Sequence, residues 1–309
     1  MPTETALRAV ELCCPEDGAL RIQFTGGEPL LVLDTIEAVF AFGRKTGRRL
    51  RLSVQTNGTL LTRDACARLK AMNCAVGVSL DGVGEANALR VFPDGSPSFE
   101  KTAAGIQHWG DVGGKCNLTV VVTSHNALHL GTLPDLALWL GNVGAVGLDL
   151  FRPLGRGTGQ DLSPAPDALE TGLRALIRKT LSLQKAGVPF RLRELERFQH
   201  RCLDGCGDLY CYAQTDASLA VDPQGDCWPC SSLAHAEGMC LGNLRDGLPT
   251  IPRSSQSLTP PERCRACPAY PACGGGCPAA RVGYGGEPSP AVCRMQQIIA
   301  QEMKGADRK

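Results

Sequence analysis

Between residues 19 and 155, short runs of β-branched and apolar residues alternate with helix-like stretches, and this alternation leaves few folds open to the chain. Ala19–Phe24, Leu50–Val54, Cys74–Leu80, Cys116–Thr123 and Val146–Phe151 read as buried strands. Between them, Leu33–Phe42 places Ile36, Val39 and Phe40 on one helical face. Arg63–Met72 follows Thr62 as N-cap with Asp64 in its first turn, and Ser98–Trp109 is a further helix. Strand and helix in strict alternation predict a mostly parallel α/β sheet with helical crossovers, open or closed into a barrel. Another helix is expected over Asp167–Lys185, stopped at Gly187.

After about residue 196, Gly, Pro and Cys dominate and apolar periodicity fades. The 309 residues include 16 cysteines, eleven of them after residue 200. Such a segment builds no large apolar core and needs metal staples to hold its shape. The boundary is expected near Leu195, giving domains 1–195 and 196–309. A secreted disulfide scaffold is usually short and carries a signal peptide, whereas MPTETALRAV has no basic n-region followed by an apolar h-region. The expectation is a cytoplasmic chain whose clustered cysteines bind metal or iron–sulfur groups. No run of about 18 apolar residues predicts a membrane span. A formal net charge of +1 without long basic runs argues against a general nucleic-acid binder.

Three motifs fall at the ends of successive strands. Gly26-Gly27-Glu28-Pro29 follows the first run, Gln55-Thr56-Asn57-Gly58-Thr59 the second and Ser79-Leu80-Asp81-Gly82 the third. In βα-repeat folds ligands bind at that end, where glycines admit a ligand close to the backbone and a carboxylate can hold an ammonium group. Singly, Asn-Gly and Asp-Gly read as turns; three in order read as one binding rim. A second Gly-Gly-Glu-Pro, Gly285–Pro288, has no strand before it and reads as a loop. In the tail, Gly225 precedes Cys230 by five positions, and Cys264-x2-Cys267-x5-Cys273-x3-Cys277 is followed by Cys293. Four thiolates on a loop framework suit an iron–sulfur cluster, and Cys-x2-Cys pairs suit zinc equally well. Cys66, Cys74 and Cys116 read as core thiols, and Trp109, Trp228 and Phe198 as packing residues. His108, His125 and His129 show no ligand spacing.

Together, FTGGEPLL, QTNGTLL, VSLDG, Arg90 in LRVFPDGSPSF, FRPLGRG and the seven-cysteine tail pattern resemble the radical S-adenosylmethionine (SAM) enzymes that carry a SPASM iron–sulfur domain, from Phe24 to Cys293. Similar members are anaerobic sulfatase-maturating enzymes and peptide maturases. The resemblance implies a partial (β/α)6 barrel followed by a small Cys-rich domain with two auxiliary [4Fe–4S] clusters. It implies S-adenosylmethionine held by Gly26, Gly27 and Glu28 at its amino group, and by Ser79 and Arg90 at its ribose or carboxylate, with Asn57 among the cofactor-binding residues. The first auxiliary cluster would use Cys211, Cys230, Cys277 and Cys206, with Cys202 the alternative to Cys206; the second would use Cys264, Cys267, Cys273 and Cys293. The implied activity is modification of a peptide or protein through hydrogen abstraction by a 5′-deoxyadenosyl radical, with an external electron donor or acceptor such as a flavodoxin or ferredoxin.

Two departures stand out. The family's Cys-x3-Cys-x2-Cys, which holds the SAM-cleaving cluster, occurs nowhere in the 309 residues, and Cys13-Cys14 are wrongly spaced for it. Thr3–Leu12 reads as the end of a crossover helix, so the expectation is a truncated or split enzyme lacking its first barrel strand and completed by a separate N-terminal fragment. The alternative is a non-catalytic iron–sulfur module that binds peptide or relays electrons. Sulfatase-maturating enzymes carry an aspartate after the Gly-x4-Cys cysteine; this chain has Ser231, which shifts weight towards peptide modification.

Overall fold

The computed structural model describes residues 1–204, 210–215, 217–249 and 259–306. Helix α1 (Thr3–Cys13) leads into strand β1 (Leu20–Phe24). Then α2 (Leu33–Thr46), β2 (Leu50–Thr56), α3 (Arg63–Ala71), β3 (Ala75–Ser79), α4 (Phe99–Asp111), β4 (Cys116–Val122), α5 (Leu133–Leu140), β5 (Val143–Leu150), α6 (Pro166–Lys185) and β6 (Arg191–Leu192) follow in alternation. The six strands form one sheet in chain order, every neighbour parallel. This is the parallel α/β arrangement anticipated from the alternation, and it agrees with the partial barrel that the resemblance implies. Thr62 caps α3 by accepting from the Ala65 N–H at 3.2 Å, and α6 ends two residues before Gly187, whose φ of 77° only glycine adopts readily.

Strands β2 and β4 are buried on one face, whereas β5 is buried on both over Ala145, Val146, Gly147 and Leu148. In β4, Cys116, Leu118, Val120 and Val122 lie under the helices at 1% exposure or less, while Asn117, Thr119 and Val121 turn to the other face. In β2, Leu52, Val54 and Thr56 are buried, and Ser53 and Gln55 face away. Period-2 alternation therefore gives these two strands an apolar helix-covered side and a polar inner side.

Close helix packing relies on glycine at Gly172 of α6. A Cβ there would stand 1.9 Å from the Ala127 carbonyl oxygen, at the head of the 3-10 turn Ala127–Thr132. Alanine would gain about 1 kcal/mol of helix propensity, but a backbone carbonyl cannot swing aside as a side chain can. Gly172→Ala is therefore expected to lose about 2 kcal/mol net. In urea denaturation its midpoint should fall at unchanged m-value, and a raised midpoint would show that the contact is slack.

Beyond β6 the chain forms α7 (Arg193–Asp204), then a three-stranded antiparallel sheet of β7 (Ala220–Val221), β8 (Asp226–Trp228) and β9 (Gly242–Asn243). Short helices α8 (Glu262–Arg265), α9 (Tyr270–Cys273) and α10 (Pro278–Gly283) carry or flank the tail cysteines, and α11 (Pro290–Ala306) ends the described chain. The local apolar cluster is small: Leu233 and Ala279, with Leu154, Cys230, Ala236, Met239, Cys277 and Val282 against them. Helix α11, however, returns to the barrel. Val292, Met295, Ile298 and Ile299 join the main core, and Glu302 pairs with Arg174 at 2.6 Å and Arg178 at 2.9 Å on α6. Among the described residues no helix is long and apolar enough to cross a membrane.

Candidate functional site

The loop after β1 opens the rim. Gly26 has φ of 114°, a region that disfavours any side chain, and a Cβ on Gly26 or Gly27 would meet nothing within 4 Å. Nothing within the described chain demands glycine at 27, so the space above it is room for a ligand to approach the backbone. Glu28 ties this loop to the end of β2. Its carboxylate accepts from Thr56 Oγ1 at 2.6 Å, the Asn57 N–H at 2.8 Å and the Leu30 N–H at 3.1 Å. A carboxylate offers about four acceptor positions, so capacity for an ammonium group remains.

Asn57 folds its own loop: its Oδ1 accepts from the Thr59 N–H at 2.8 Å and Thr59 Oγ1 at 2.7 Å. Ser79 belongs to a polar ladder across the inner face. Gln55 Nε2 donates to Ser79 Oγ at 3.0 Å, and Thr119 Oγ1 donates to Gln55 Oε1 at 3.3 Å. Gly77 between them leaves the room, since a Cβ there would lie 2.4 Å from Gln55 Oε1.

Arg90 is engaged differently from the expectation. Its Nη2 and Nε sit 2.8 and 2.7 Å from the two oxygens of Asp81, a fork-to-carboxylate pairing. Asp81 is nearly enclosed and also accepts from the Val121 N–H at 2.7 Å. Asn126 completes the knot, donating to the carbonyls of Val121 at 2.8 Å and Asp81 at 3.3 Å. The ends of β3 and β4 are thus held together by Asp81 and Asn126. The sequence places Asp81 on the rim without its partners and does not single out Asn126; a polar pair at the ends of adjacent strands is the available signal.

The cysteines gather in two places. Cys264, Cys267, Cys273 and Cys293 line one cavity of about 350 Å³, with Cys277 and Arg281 in its wall. Burial pushes the Cys273 thiol up to about 11, with Cys293 and Cys264 adding to the rise. Burial likewise raises Cys293, helped by Cys264 and Cys267. Cys211, Cys230 and Cys277 form the other set. Burial raises the first two, and each is raised further by Cys277. Cys206 lies outside the described residues, and Cys202 is exposed on α7. The described cysteines are all free of disulfides. Cys66, Cys74 and Cys116 are core thiols at 0–3% exposure, pushed up to about 11, 12 and 12 by burial. Four thiols around a cavity of this size suit a cube of iron and sulfide.

Residues 1–133 match the family described as the Radical SAM superfamily. The match takes in the first four strands of the parallel sheet and the three rim motifs. It is 28% identical over 249 residues to an uncharacterised protein of Methanocaldococcus jannaschii, covering 80% of each chain. It is 28% identical over 282 residues to the mycofactocin maturase MftC of Mycolicibacterium smegmatis, covering 84% of this chain and 66% of that one. Its fold resembles anSMEcpe solved with bound AdoMet, with a TM-score of 0.82 at 22% identity over 97% of this chain and 84% of that one. The same protein has been solved with AdoMet and a Cp18Cys peptide, at a TM-score of 0.80.

In this chain the parallel sheet meets the tail beyond β5. Arg152 pairs with Asp149 and donates from Nη1 to Cys277 Sγ at 3.5 Å. Arg197 donates to the Tyr210 hydroxyl at 3.0 Å, and burial pushes that phenol up to about 12. Beside them Glu194 is 8% exposed and one carboxylate oxygen has no hydrogen-bond partner; burial pushes its carboxyl up to about 7. An unfolded glutamate titrates near 4.5, so the folded state holds the extra proton. Glu194 should therefore favour folding fully below about pH 4.5 and lose that contribution as pH rises to about 7, a drop of about 3 kcal/mol. Urea denaturation at about pH 5 and pH 8 checks this. Glu194→Gln should abolish that part of the drop, and equal drops in both proteins would refute the assignment.

Proposed function

We propose that this chain is the substrate- and cluster-binding bulk of a radical SAM maturase acting on a peptide or protein, with a domain boundary near Leu195. The observation that carries the reading is the convergence of Cys264, Cys267, Cys273 and Cys293 on one cavity of about 350 Å³. These four would hold one [4Fe–4S] cluster, and Cys211, Cys230 and Cys277 with Cys206 a second; when bound, the clusters supply one-electron transfer. AdoMet would lie on the rim. There Gly26 and Gly27 admit it to the backbone, Glu28 offers remaining acceptor capacity to its ammonium group, and Ser79 presents a hydroxyl oriented by Gln55. Arg90 can reach it only with the edge of the guanidinium that Asp81 leaves free.

The substrate class rests on the relatives: MftC is a maturase, and anSMEcpe takes a Cp18Cys peptide. The polar inner face of β2, β3 and β4 suits an extended peptide, whose backbone needs donors and acceptors along its length. Electrons would pass to or from a flavodoxin- or ferredoxin-like partner. Because Cys-x3-Cys-x2-Cys does not occur in these 309 residues, the SAM-cleaving cluster would have to be held by a segment or partner that carries it. That same absence favours a second reading, an iron–sulfur module that binds peptide or relays electrons without cleaving AdoMet.

Iron and acid-labile sulfide per chain after anaerobic reconstitution test the proposal. About eight irons, four for each cubane, are expected, with no 5′-deoxyadenosine released from AdoMet by these residues alone. Release restored by a fragment bearing the missing motif would favour the maturase over the relay module. About twelve irons would mean that a third cluster has ligands here, and zinc in place of iron would overturn the reading.

A further inference from the structure

Arg281 on α10 heads the fully buried side chains by size, at 1% exposure. Its Nη1 donates to the carbonyls of Gly275 at 2.6 Å and Gly276 at 2.9 Å. Those two residues belong to the three-glycine link between Cys273 of one thiol set and Cys277 of the other. Gly274, Gly275 and Gly276 have φ of 60°, 80° and 72°, so the link curls in a way only glycines accept easily, and its carbonyls close on the guanidinium. Arg281 also lines the cavity of the second set. Arg152 donates to Cys277 Sγ at 3.5 Å. Cys277 therefore takes a hydrogen bond from one arginine, and the other arginine holds the link that joins Cys277 to Cys273 of the second set.

A buried cation costs several kcal/mol unless negative charge faces it. Among the charges that favour the Arg281 cation against its burial are the sulfurs of Cys277, Cys264, Cys211 and Cys273, drawn from both sets. As neutral thiols they would offset little; as thiolate ligands they would offset much. We propose, on the reading that both sets hold [4Fe–4S] clusters, that Arg281 is a charge bridge that raises the reduction potentials of both, while Arg152 raises that of the first alone through Cys277. The step is a one-electron reduction of each cluster by an external one-electron donor. No bond is made or broken, the cluster gains one negative charge, and the fixed guanidinium favours that added charge. Arg281 acts here as a positioning residue, since its contacts are with the ligand-bearing loop.

The test is a dithionite potentiometric titration of the anaerobically reconstituted chain, followed by electron paramagnetic resonance, on the native sequence and on Arg281→Met, Arg281→Lys and Arg152→Gln. Iron is counted first. A native count far from eight would fail the two-cluster reading itself, before any potential is measured. With about eight irons loaded, Arg281→Met is expected to disfavour reduction of both clusters about tenfold, or 59 mV for a one-electron couple. Arg281→Lys should hold both potentials near the native values, and Arg152→Gln should lower only one. Loaded Arg281→Met with both potentials unchanged would overturn the proposal, as would Arg152→Gln shifting both alike. If Arg281→Met does not load, Arg281→Lys decides: potentials retained with the charge support the bridge, and potentials lowered tenfold despite the charge refute it.

Discussion

Cys293→Ala is expected to cut the iron bound after reconstitution from about eight to about four atoms per chain, with the sulfide falling in step. Cys293 begins the return of the chain along α11, yet its thiol lines the same cavity as Cys264, Cys267 and Cys273, which precede it by 20 residues or more. Removing it leaves Cys264, Cys267 and Cys273 of that set, since Cys277, which lines the same cavity, is assigned to the other set. Because Val292 and Met295 on the same helix are in the main core, the fold should survive and the loss should be confined to one site. Cys66→Ala is the control. That thiol is buried in the main core on α3 and does not line the cavity, so its loss should lower stability and leave the iron count alone. Equal iron in Cys293→Ala and the native chain would remove Cys293 from the ligand set.

Asp81→Ala is expected to destabilise the chain by about 3 kcal/mol, at the low end for breaking a buried pair from one side. It would strip acceptors from the Arg90 guanidinium and the Val121 N–H together, at a carboxylate only 8% exposed. Asp81→Asn keeps the shape but loses the charge, and should lie between the two in urea denaturation. The double variant Asp81→Ala/Arg90→Ala should cost clearly less than the sum of the single changes, because each single change leaves the other partner stranded. Additive losses, or a loss below about 1 kcal/mol for Asp81→Ala, would mean that the pair does not hold the β3 and β4 ends together.

These cases mark where sequence reading reaches and where it stops. The alternation of strands and helices from residue 19 to 151 is legible because each element is long enough to show its period. Strand β6 has two residues and α7 begins Arg-Glu-Leu-Glu-Arg, so neither announces itself. Helix α11 carries Cys293 and was read as part of the cysteine tail, although its Ile298 and Ile299 are completely enclosed by the barrel core. The apolar runs read as strands buried on both faces, which holds for β5; in β2, Arg51, Ser53 and Gln55 at every second position mark a polar inner face.

The sequence by itself determined the parallel sheet, because periodicity is a local property that can be read along the chain. The rim motifs and the clustered cysteines are legible there too, while the cluster ligand sets are what the family resemblance implies. Only the tertiary structure decided which partners those residues have. Glu28 meets Thr56 and Asn57 across two strands, Arg90 spends a guanidinium edge on Asp81, and Arg281 closes the loop between two thiol sets. Such contacts depend on which side chains two separate elements bring within about 3 Å, and nothing in a linear spacing specifies that distance.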